Sequence, residues 1–390
     1  MISAIGTARA GFLFCVALWL LWFAWLAWEK MQHQRNLNAL RLRIHVNGTR
    51  GKSSVTRLIA AGLRAGGIRT LAKVTGTEAK FIYPDGTEHP VKRRGPANIR
   101  EYLRTAEVAG TCGAEALVCE CMALQPELQT FCEQRLMRSH IGVITNVRHD
   151  HEEIMGRNLP EIAATLGRTT PVRGRLVATA ETAALLRGAG VLTGREASVK
   201  LADSQWLSTE ELDGFSFSVE PENVALALAV CELAGVARDQ ALDGMRTSQP
   251  DGGNLTVREY RVADQAFRFV DALAANDPDS TRILWNRYVG DRAAAGVLLH
   301  ARCDRRLRTR KLCELLVELH TGPYYLTGDT AFTSHCLMKQ GISAELLLLP
   351  RAARLDEVLR TAAEAMRRQG NGAQAAQTLF AAGNRKGFVV

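Results

Sequence analysis

The residues best suited to chemistry lie in one short stretch, Gly48-Thr49-Arg50-Gly51-Lys52-Ser53-Ser54, between a short apolar run and a helical pattern. Its two glycines allow successive backbone N–H groups to point into one turn, and the N-terminus of the following helix adds partial positive charge. A turn of this kind binds phosphate. Lys52 is placed to reach the terminal phosphates of a nucleotide, and the Ser53 hydroxyl is placed to bind Mg²⁺. The sequence therefore predicts a nucleotide-binding loop.

This loop departs at one position from the general nucleotide-binding pattern, which has a glycine where this chain has Val46. The alternative interpretation is a plain strand-to-helix turn that carries a solvated lysine. The context favours phosphate binding, because an apolar run precedes the loop and an amphipathic pattern over residues 55–65 follows it.

Polar residues that could bind metal or phosphate follow two further predicted strands. Glu120 closes the apolar run 116–121, and Asn146, Asp150 and His151 follow the run 141–147. Ligands of an open α/β sheet bind at the carboxyl ends of its strands, so we expect these groups near the phosphate loop. A surface glutamate and a solvated polar loop remain the alternatives.

Apolar runs and helical patterns alternate along most of the chain, which is typical of α/β folds with parallel sheets. In the first part, strands are predicted at residues 68–74, 116–121, 141–147, 176–180, 197–202 and 215–219, with a hairpin around 83–86. A second series runs from 267–271 to 378–382. The turn cluster Pro250-Asp251-Gly252-Gly253 lies between the two series and is the predicted domain boundary.

An uncharged apolar run of 18 residues, 11–28, lies near the N-terminus and contains four of the six tryptophans. As a helix it spans about 27 Å, close to the hydrocarbon thickness of a bilayer. The basic residues concentrate after this run, at Lys30, Arg35, Arg41 and Arg43, which predicts a cytoplasmic C-terminal side. A cleaved signal peptide and a buried core helix are the alternatives.

These patterns predict an α/β protein in four consecutive parts. They are a membrane helix (1–30), a juxtamembrane connector (31–42), a P-loop-type parallel-sheet ATPase domain (43–250) and a smaller Rossmann-like α/β domain (251–390).

The composition narrows the classes of partner. The 49 basic and 40 acidic residues leave a net charge of +9, which is compatible with nucleic acid, an anionic membrane surface or anionic substrates. Aromatic residues make up only 6% and are not interleaved with basic ones, so we do not expect a nucleic-acid partner. The nine cysteines form no Cys-x-x-Cys pair, which predicts free thiols in a reducing compartment.

Four features, in their order and spacing, resemble the ATP-dependent Mur ligase superfamily over about residues 42–390. They are Gly48-Thr49-Arg50-Gly51-Lys52-Ser53, Glu120, Asn146-x-x-x-Asp150-His151, and Asp271 followed by Asn276-Asp277-Pro278. The likeness is greatest to the ligase subunits of poly-γ-glutamate synthases. It rests on the N-terminal span, on the lack of a substrate-nucleotide domain before the loop, and on Arg93-Arg94-Gly95-x-Ala97-Asn98-Ile99.

The resemblance implies a role for each matching residue. Lys52 would neutralise the transferring phosphoryl group, Ser53 and Glu120 would bind one Mg²⁺, and His151 would bind a second. Asn223 matches an asparagine beside the adenine, and Asp271 matches an aspartate that meets the ribose when the domains close. The implied nucleotide-binding set is Gly48, Thr49, Arg50, Gly51, Lys52, Ser53, Ser54, Asn223 and Asp271, and the implied catalytic set is Lys52, Glu120 and His151.

Three positions depart from the family's pattern. The family often has a modified lysine that bridges the metals, and Leu166 occupies that position, so the metals would be bridged differently, with Glu152 and Glu153 as candidates. The family's arginine near Pro-Gly-Arg is missing from the turn cluster at 250–253, and its Ala-His-Asn-Pro reads Ala274-Ala275-Asn276-Asp277-Pro278. These departures affect the second metal and the second domain's contacts with ATP, but not the phosphate loop.

The resemblance implies a membrane-anchored amide ligase that uses ATP and Mg²⁺ to polymerise glutamate through its γ-carboxylate, for capsule or release, by way of an acyl phosphate. The implied partners are glutamate, the growing poly-γ-glutamate chain, a small multi-span membrane protein and an anchored accessory protein, with a homo-oligomer left open. The implied location is the cytoplasmic membrane, with the catalytic domains inside the cell. The alternatives are another Mur-type amino-acid ligase, a membrane-tethered ATPase that energises transport, and a nucleotide-dependent scaffold.

Overall fold

The structure is a computed structural model of the 390-residue chain. It describes residues 2–76, 79–93, 95–215, 217, 219–250, 256–262, 265–273, 275, 277–290, 295–320, 322–342, 346–368, 377–384 and 388. The predicted features at residues 77–78, 94, 251–253, 274 and 276 lie outside this part of the chain.

The chain begins with one long helix, α1 (Ile2–Ala39), so the predicted apolar span and the predicted connector are continuous. Large apolar side chains on its first half are exposed, among them Phe12 at 69% and Trp19 at 57%. In the described part of the chain, Phe12–Ala39 is the one helical stretch long and apolar enough to cross a membrane, by length and composition. The C-terminal end of α1 packs against the first domain, where Leu37 is buried in the core.

Eight strands form the sheet of the first domain. They are β1 (Leu42–Asn47), β2 (Thr70–Val74), β3 (Lys80–Ile82), β4 (Glu88–Pro90), β5 (Ala116–Glu120), β6 (Ile141–Ile144), β7 (Arg175–Ala178) and β8 (Ser198–Leu201), in the order β4-β3-β2-β5-β1-β6-β7-β8. The pairings from β2 across to β8 are parallel. The sheet is nevertheless mixed, because the turn at 83–86 makes β3 and β4 an antiparallel hairpin on one edge.

The helices of this domain cover both faces of the sheet. They are α2 (Lys52–Ala65), α3 (Glu101–Thr111), α4 (Pro126–Phe131), α5 (Glu152–Met155), α6 (Leu159–Leu166), α7 (Ala180–Gly188), α8 (Thr209–Asp213), α9 (Pro221–Leu233) and α10 (Arg238–Arg246), with a π-helical turn at Cys132–Met137. The amphipathic α2 buries Val55, Leu58 and Ile59 against the sheet and against α9 and α10. This packing anchors the helix whose first residue is Lys52.

The second domain has a six-stranded sheet. Its strands are β9 (Thr256–Val262), β10 (Gln265–Asp271), β11 (Ala295–Ala301), β12 (Tyr324–Gly328), β13 (Leu346–Leu348) and β14 (Gln377–Gly383), in the order β13-β12-β11-β14-β10-β9. Its helices are α11 (Pro278–Tyr288), α12 (Arg306–Leu319), α13 (Thr330–Lys339) and α14 (Leu355–Arg368). The strand β9 pairs antiparallel with β10, and the other pairings are parallel. Alternating strands and helices were predicted here, and the α/β fold class is confirmed.

One predicted strand, at residues 215–219, is wrong. The described residues Phe215, Phe217 and Val219 belong to no strand. Instead, the Phe215 and Phe217 rings pack edge to face, 5.7 Å apart, and Phe215 and Val219 lie against the core. The alternating apolar residues that indicated a strand cover the core as an irregular segment. The strand β9, the helix α10 and the π-helical turn were not predicted from the sequence.

The strand register brings the predicted site residues to one edge of the first sheet. Val46, at the end of the central strand β1, pairs with Glu120 of β5, and Asn47 pairs with Ile144 of β6. All three strands are parallel, so the loops that follow them leave at the same edge.

Candidate active site

The phosphate-type loop leaves the end of β1 and turns sharply before α2 begins. Gly48 and Gly51 have φ of 132° and 80°, values that favour glycine. Gly51 is also closely packed, because a Cβ atom there would lie 2.6 Å from the Asn223 side-chain oxygen. The Gly51 carbonyl accepts a hydrogen bond from the Val55 N–H at 2.8 Å. The loop therefore needs glycine both for its backbone conformation and for the approach of Asn223.

The Lys52 side chain crosses the loop and is held there by carbonyl groups of the loop backbone. Its Nζ donates to the Gly48 carbonyl at 2.7 Å and to the Thr49 carbonyl at 3.1 Å. Burial lowers the pKa of Lys52, with the nearby Glu120 opposing that change and Arg50 adding to it. An anionic phosphate in this loop would favour the charged form of the lysine.

Ser53 and Glu120 form an oxygen pair directly beside the loop. The Ser53 hydroxyl donates to Glu120 Oε2 at 2.9 Å, and the Thr75 N–H donates to the same oxygen at 2.6 Å. Glu120 is only 3% exposed. Mg²⁺ commonly takes one or two protein oxygens and completes its shell with phosphate and water. These residues therefore fit the magnesium ion that the sequence predicts.

Asn146, in the segment after β6, contacts the backbone of the phosphate-type loop. Its side-chain oxygen accepts from the Arg50 N–H at 3.0 Å, and its side-chain nitrogen donates to the Arg50 carbonyl at 3.1 Å. The Arg148 N–H donates to the Thr49 hydroxyl at 3.0 Å. Three consecutive contacts of this kind leave the loop little freedom to move.

Arg50 connects the loop with the second domain. Its Nε donates to Asp277 Oδ2 at 2.8 Å, and its Nη2 lies 3.2 Å from Asp150 Oδ2. The other oxygen of Asp150 accepts from Arg308 of α12 at 2.7 Å. Burial alone would raise the pKa of Asp150, but Arg50 and Arg308 lower it to about 2. Asp150 is therefore a fixed negative charge between cations from both domains.

His151 lies in the same cleft, beside charged groups from both domains. Its backbone has φ 48°, and Arg305 Nη1 lies 3.4 Å from its Nδ1. Burial lowers the pKa of His151, with the nearby Asp150 opposing that change and Arg308 adding to it. The same Nδ1 lies 3.6 Å from Glu153 Oε1, and Nε2 lies 3.9 Å from Asp150 Oδ2. The role of His151 as a ligand for a second metal stays a prediction.

The described residues contain no group of three or more His, Cys, Asp or Glu side chains that could hold a metal. Leu166 is 1% exposed within an apolar cluster, so its position supplies no bridging group. Glu152, one of the suggested replacements, accepts from Lys311 Nζ at 2.6 Å. The metal site predicted at Ser53 and Glu120 stays a prediction that their oxygen pair fits.

A cavity of about 220 Å³ opens beside the loop and is lined by both domains. The predicted nucleotide-binding residues in its wall are Arg50, Gly51, Ser54, Asn223 and Asp271. Asn223 lies in the first turn of α9, and Asp271 ends β10. These residues come from distant parts of the chain, and the fold brings them to one space.

Sequence reasoning missed several residues at this cleft. Phe217 and Arg148 line the cavity, and Arg148 Nη1 donates to the Ser280 hydroxyl at 3.0 Å across the domains. Arg308 and Lys311 of α12 meet Asp150 and Glu152. The basic spacing Arg305-Arg306-Arg308 was the available signal, but a solvated helix face has the same spacing.

Comparison with known proteins agrees with this arrangement. The Mur ligase middle domain matches residues 46–168, and the poly-gamma-glutamate synthase CapB C-terminal domain matches residues 257–389. A folylpolyglutamate synthase/dihydrofolate synthase from Yersinia pestis, complexed with AMPPNP and Mn, superposes with a TM-score of 0.65 at 14% identity, covering 91% of this chain and 90% of that one. At that identity, the likeness shows a shared fold.

Two curated relatives are more similar in sequence. The PGA synthase CapB of Bacillus subtilis strain 168 is 36% identical over 312 residues, which cover 77% of this chain and 78% of that protein. The capsule biosynthesis protein CapB of Bacillus anthracis is 39% identical over 317 residues, which cover 80% of this chain and 66% of that protein.

The phosphate-type loop, the parallel-rich first sheet and the second α/β domain that faces it define a ligase of the Mur type. Within that class, the chain belongs to the CapB family, whose characteristic C-terminal domain matches its residues 257–389.

Proposed function

We propose that this chain is an ATP-dependent amide ligase that joins glutamate residues through the γ-carboxylate to make poly-γ-glutamate. The family supports this reaction, since its matching members are named PGA synthase and capsule biosynthesis protein. In the proposed reaction, the terminal phosphoryl group of ATP moves to a carboxylate oxygen of the acceptor chain, and ADP leaves. The amine of the next glutamate then attacks the acyl carbon, phosphate leaves, and the amine proton passes to water.

One observation carries the proposal: the cavity beside the phosphate loop is walled by both domains. Gly51 and Asn223 line it from the first domain, and Asp271 lines it from the second. A nucleotide held there would have its phosphates at the Lys52 end of the loop. A cleft of this kind excludes water, which an acyl phosphate requires because water would hydrolyse it.

In the proposed site, phosphate charge is stabilised by cationic side chains, by a bound cation and by backbone N–H groups. Lys52, crossing the loop, and Arg50, at its rim, face the region where phosphate charge accumulates during transfer. Ser53 and Glu120 would hold Mg²⁺, which supplies charge neutralisation at the phosphates when it is bound. The backbone N–H groups of the loop orient the same phosphates.

We also propose the domain organisation and the location. The first domain, 43–250, binds the nucleotide, and the second, 251–390, closes over it. The exposed apolar surface of α1 supports a single-pass anchor in the cytoplasmic membrane, because such a surface is unfavourable in water. A polyanionic product made at the inner face has to cross the bilayer, and one helix forms no pore. Membrane-embedded and anchored accessory partners are therefore part of the proposal.

The test is acceptor-dependent nucleotide turnover by membranes that carry the full chain and its partners. With ATP, Mg²⁺ and L- or D-glutamate, we expect ADP release and a polymer that resists α-peptidases. Omitting glutamate should remove both signals. Release of AMP would contradict the acyl-phosphate route, and ADP release independent of glutamate would favour a transport ATPase.

A further inference from the structure

A second and larger cavity, of about 1000 Å³, lies where α1 leaves its apolar segment and meets the first domain. Its walls come from α1, α3 and the π-helical turn after α4. The lining residues are Leu26, Glu29, Lys30, His33, Gln34, Ile99, Arg100, Leu103, Phe131, Gln134, Arg135, Leu136 and Arg138. None of them belongs to the nucleotide-binding cleft.

The polar side of this cavity is strongly cationic. Four lysine and arginine side chains line it against one carboxylate, Glu29. Arg100 pairs with Glu29 at 2.6 Å, and Arg138 donates to the Gln34 side chain at 2.5 Å. Lys30 and Arg135 have no side-chain hydrogen bond or ion pair within the described part of the chain. The cavity therefore holds positive charge that the protein does not neutralise.

The other side of the cavity is apolar and faces outward. Phe131 is 48% exposed beside Leu26 and Leu103. Trp25 and Trp28, within one helical turn of Leu26 on α1, are 46% and 53% exposed. Exposed tryptophans at the end of an apolar helix are typical of the membrane–water interface. The cationic side thus lies at the level where a bilayer would have its headgroups.

His33 adds a buried polar atom without a partner. It is 5% exposed, and its Nε2 donates to the Leu136 carbonyl at 2.9 Å. Its Nδ1 has no hydrogen-bond partner in the described structure. A buried acceptor left unpaired is unfavourable, and a hydroxyl group on a ligand would satisfy it.

We propose that this cavity binds an anionic phospholipid with a hydroxyl-bearing headgroup, with its acyl chains along α1. The phosphodiester pairs with Lys30 and Arg135, a headgroup hydroxyl faces His33, and the chains cover Leu26 and Phe131. Basic clusters directly next to a membrane helix attract anionic lipids in this way. The inference rests on the proposed membrane anchorage, but not on the ligase chemistry.

The polyanionic product is the competing occupant, and the observations favour the lipid. A poly-γ-glutamate chain would pair with the cations, but its carboxylates gain nothing from an apolar wall. A phospholipid is amphipathic and matches both sides of the cavity. Its acyl chains would also cover Phe131, which is otherwise exposed to water.

The test uses full chain purified in neutral detergent with equal amounts of phosphatidylglycerol and phosphatidylcholine, and native mass spectrometry reads the retained lipid. We expect preferential retention of phosphatidylglycerol. Arg135→Gln should lower that preference about five-fold, the effect of removing one juxtamembrane cation. Arg187→Gln is the matched control, since Arg187 is an exposed helical arginine of α7, away from the cavity. It should keep the parental preference.

Three outcomes would overturn the inference: equal retention of the two lipids by the parent chain, equal losses in the two variants, or displacement of phosphatidylglycerol by free poly-γ-glutamate.

Two parallel assays separate this result from the earlier proposals. Flotation of the chain with pure phosphatidylcholine vesicles reports anchorage alone. Glutamate-dependent ADP release reports the ligase, and Arg135→Gln should not change it in a neutral detergent.

Discussion

At the scale of single residues, Lys52 is the cation that we propose as the main partner of the transferring phosphoryl group. It bridges two loop carbonyls and lies beside Glu120, so its charge is aimed at the loop. We expect Lys52→Ala to reduce glutamate-dependent ADP release by at least about 100-fold, the scale for removing one preorganised donor. Insertion of the chain into membranes should be unaffected.

Lys339→Ala is the control for this change, because Lys339 is an exposed residue of α13 outside the cleft. It should keep parental turnover, measured as ADP release in the same membranes. Polymer formation by the Lys52→Ala chain would mean that the ATP phosphates bind elsewhere.

A second residue-scale feature is the buried charge of His45. Its Nδ1 lies 2.8 Å from Glu133 Oε2, and its Nε2 lies 2.8 Å from the Tyr102 hydroxyl. Burial alone would lower the pKa of His45, but its contacts with Cys121 and Glu133 raise it to about 9. The imidazolium therefore ties β1, which carries the phosphate loop, to the π-helical turn.

This pair predicts a pH dependence of stability. The folded-state pKa of about 9 is above the ordinary value of 6.5, so the stabilisation is complete below about pH 6.5 and is lost as the pH rises through 9. We expect the free energy of unfolding to fall by up to about 3 kcal/mol across that window. Denaturant unfolding of the full chain in detergent measures it. His45→Gln should flatten this slope, whereas His335→Gln, at an exposed site, should keep it.

At the scale of elements, the strand–loop–helix unit depends on Gly51 for two separate reasons. Its φ of 80° disfavours any side chain, and a Cβ atom there would collide with Asn223. Gly67, just past the end of α2, has a similar φ of 77° but nothing within 4 Å of a built Cβ. Alanine substitutions at these two glycines therefore distinguish the effect of backbone strain from the effect of the collision with Asn223.

We expect Gly51→Ala and Gly67→Ala each to lower the free energy of unfolding by about 1 kcal/mol, from the left-handed backbone. Gly51→Ala alone should also raise the KM for ATP, by roughly ten-fold, because Asn223 must leave the cavity wall. Steady-state kinetics and denaturant unfolding of both variants check this. An equal rise in KM for both would show that strain, rather than the Asn223 contact, controls binding.

At the scale of the whole molecule, cross-domain charge pairs join the two domains across the cleft. These are Arg50 with Asp277, Asp150 with Arg308, and Glu152 with Lys311, and the contact of Arg148 with Ser280 adds to them. The side chains of Asp150 and Arg308 are only 9% and 15% exposed. Screening by water is therefore weak at this pair.

Arg308→Gln should open the cleft by leaving Asp150 with one cationic partner. Removing one member of a buried charge pair typically costs about 2–5 kcal/mol, so we expect kcat/KM for glutamate to fall at least ten-fold. Small-angle scattering should show a larger radius of gyration. Arg360→Gln removes a solvent-exposed pair with Asp356 in α14 and should change neither quantity. Unchanged kinetics in Arg308→Gln would mean that the pair does not govern closure.

The fold and part of the site could be predicted from the sequence because their signals are local. The glycines and lysine of the phosphate loop, the alternation of strands and helices, and the apolar run of α1 each depend on residues close together in the chain. Glu120 could be assigned to the loop's edge because parallel strands end together. The segment at 215–219 shows the limit, because alternating apolar residues can cover a core without pairing in a strand.

The cleft itself could not be predicted, because its contacts join residues far apart in the chain. Asp150 and Arg308 are separated by 158 positions, and nothing in the local sequence of α12 distinguishes a cation that meets Asp150 from one in water. The raised pKa of His45 and the lowered pKa of His151 likewise follow from burial and from partners on other elements. Hydrophobic periodicity and turn chemistry are set by near neighbours, and they specify which elements form. Ionisation, closure and the second cavity depend on how those elements pack, since electrostatic interactions are governed by distance in space and by exclusion of water.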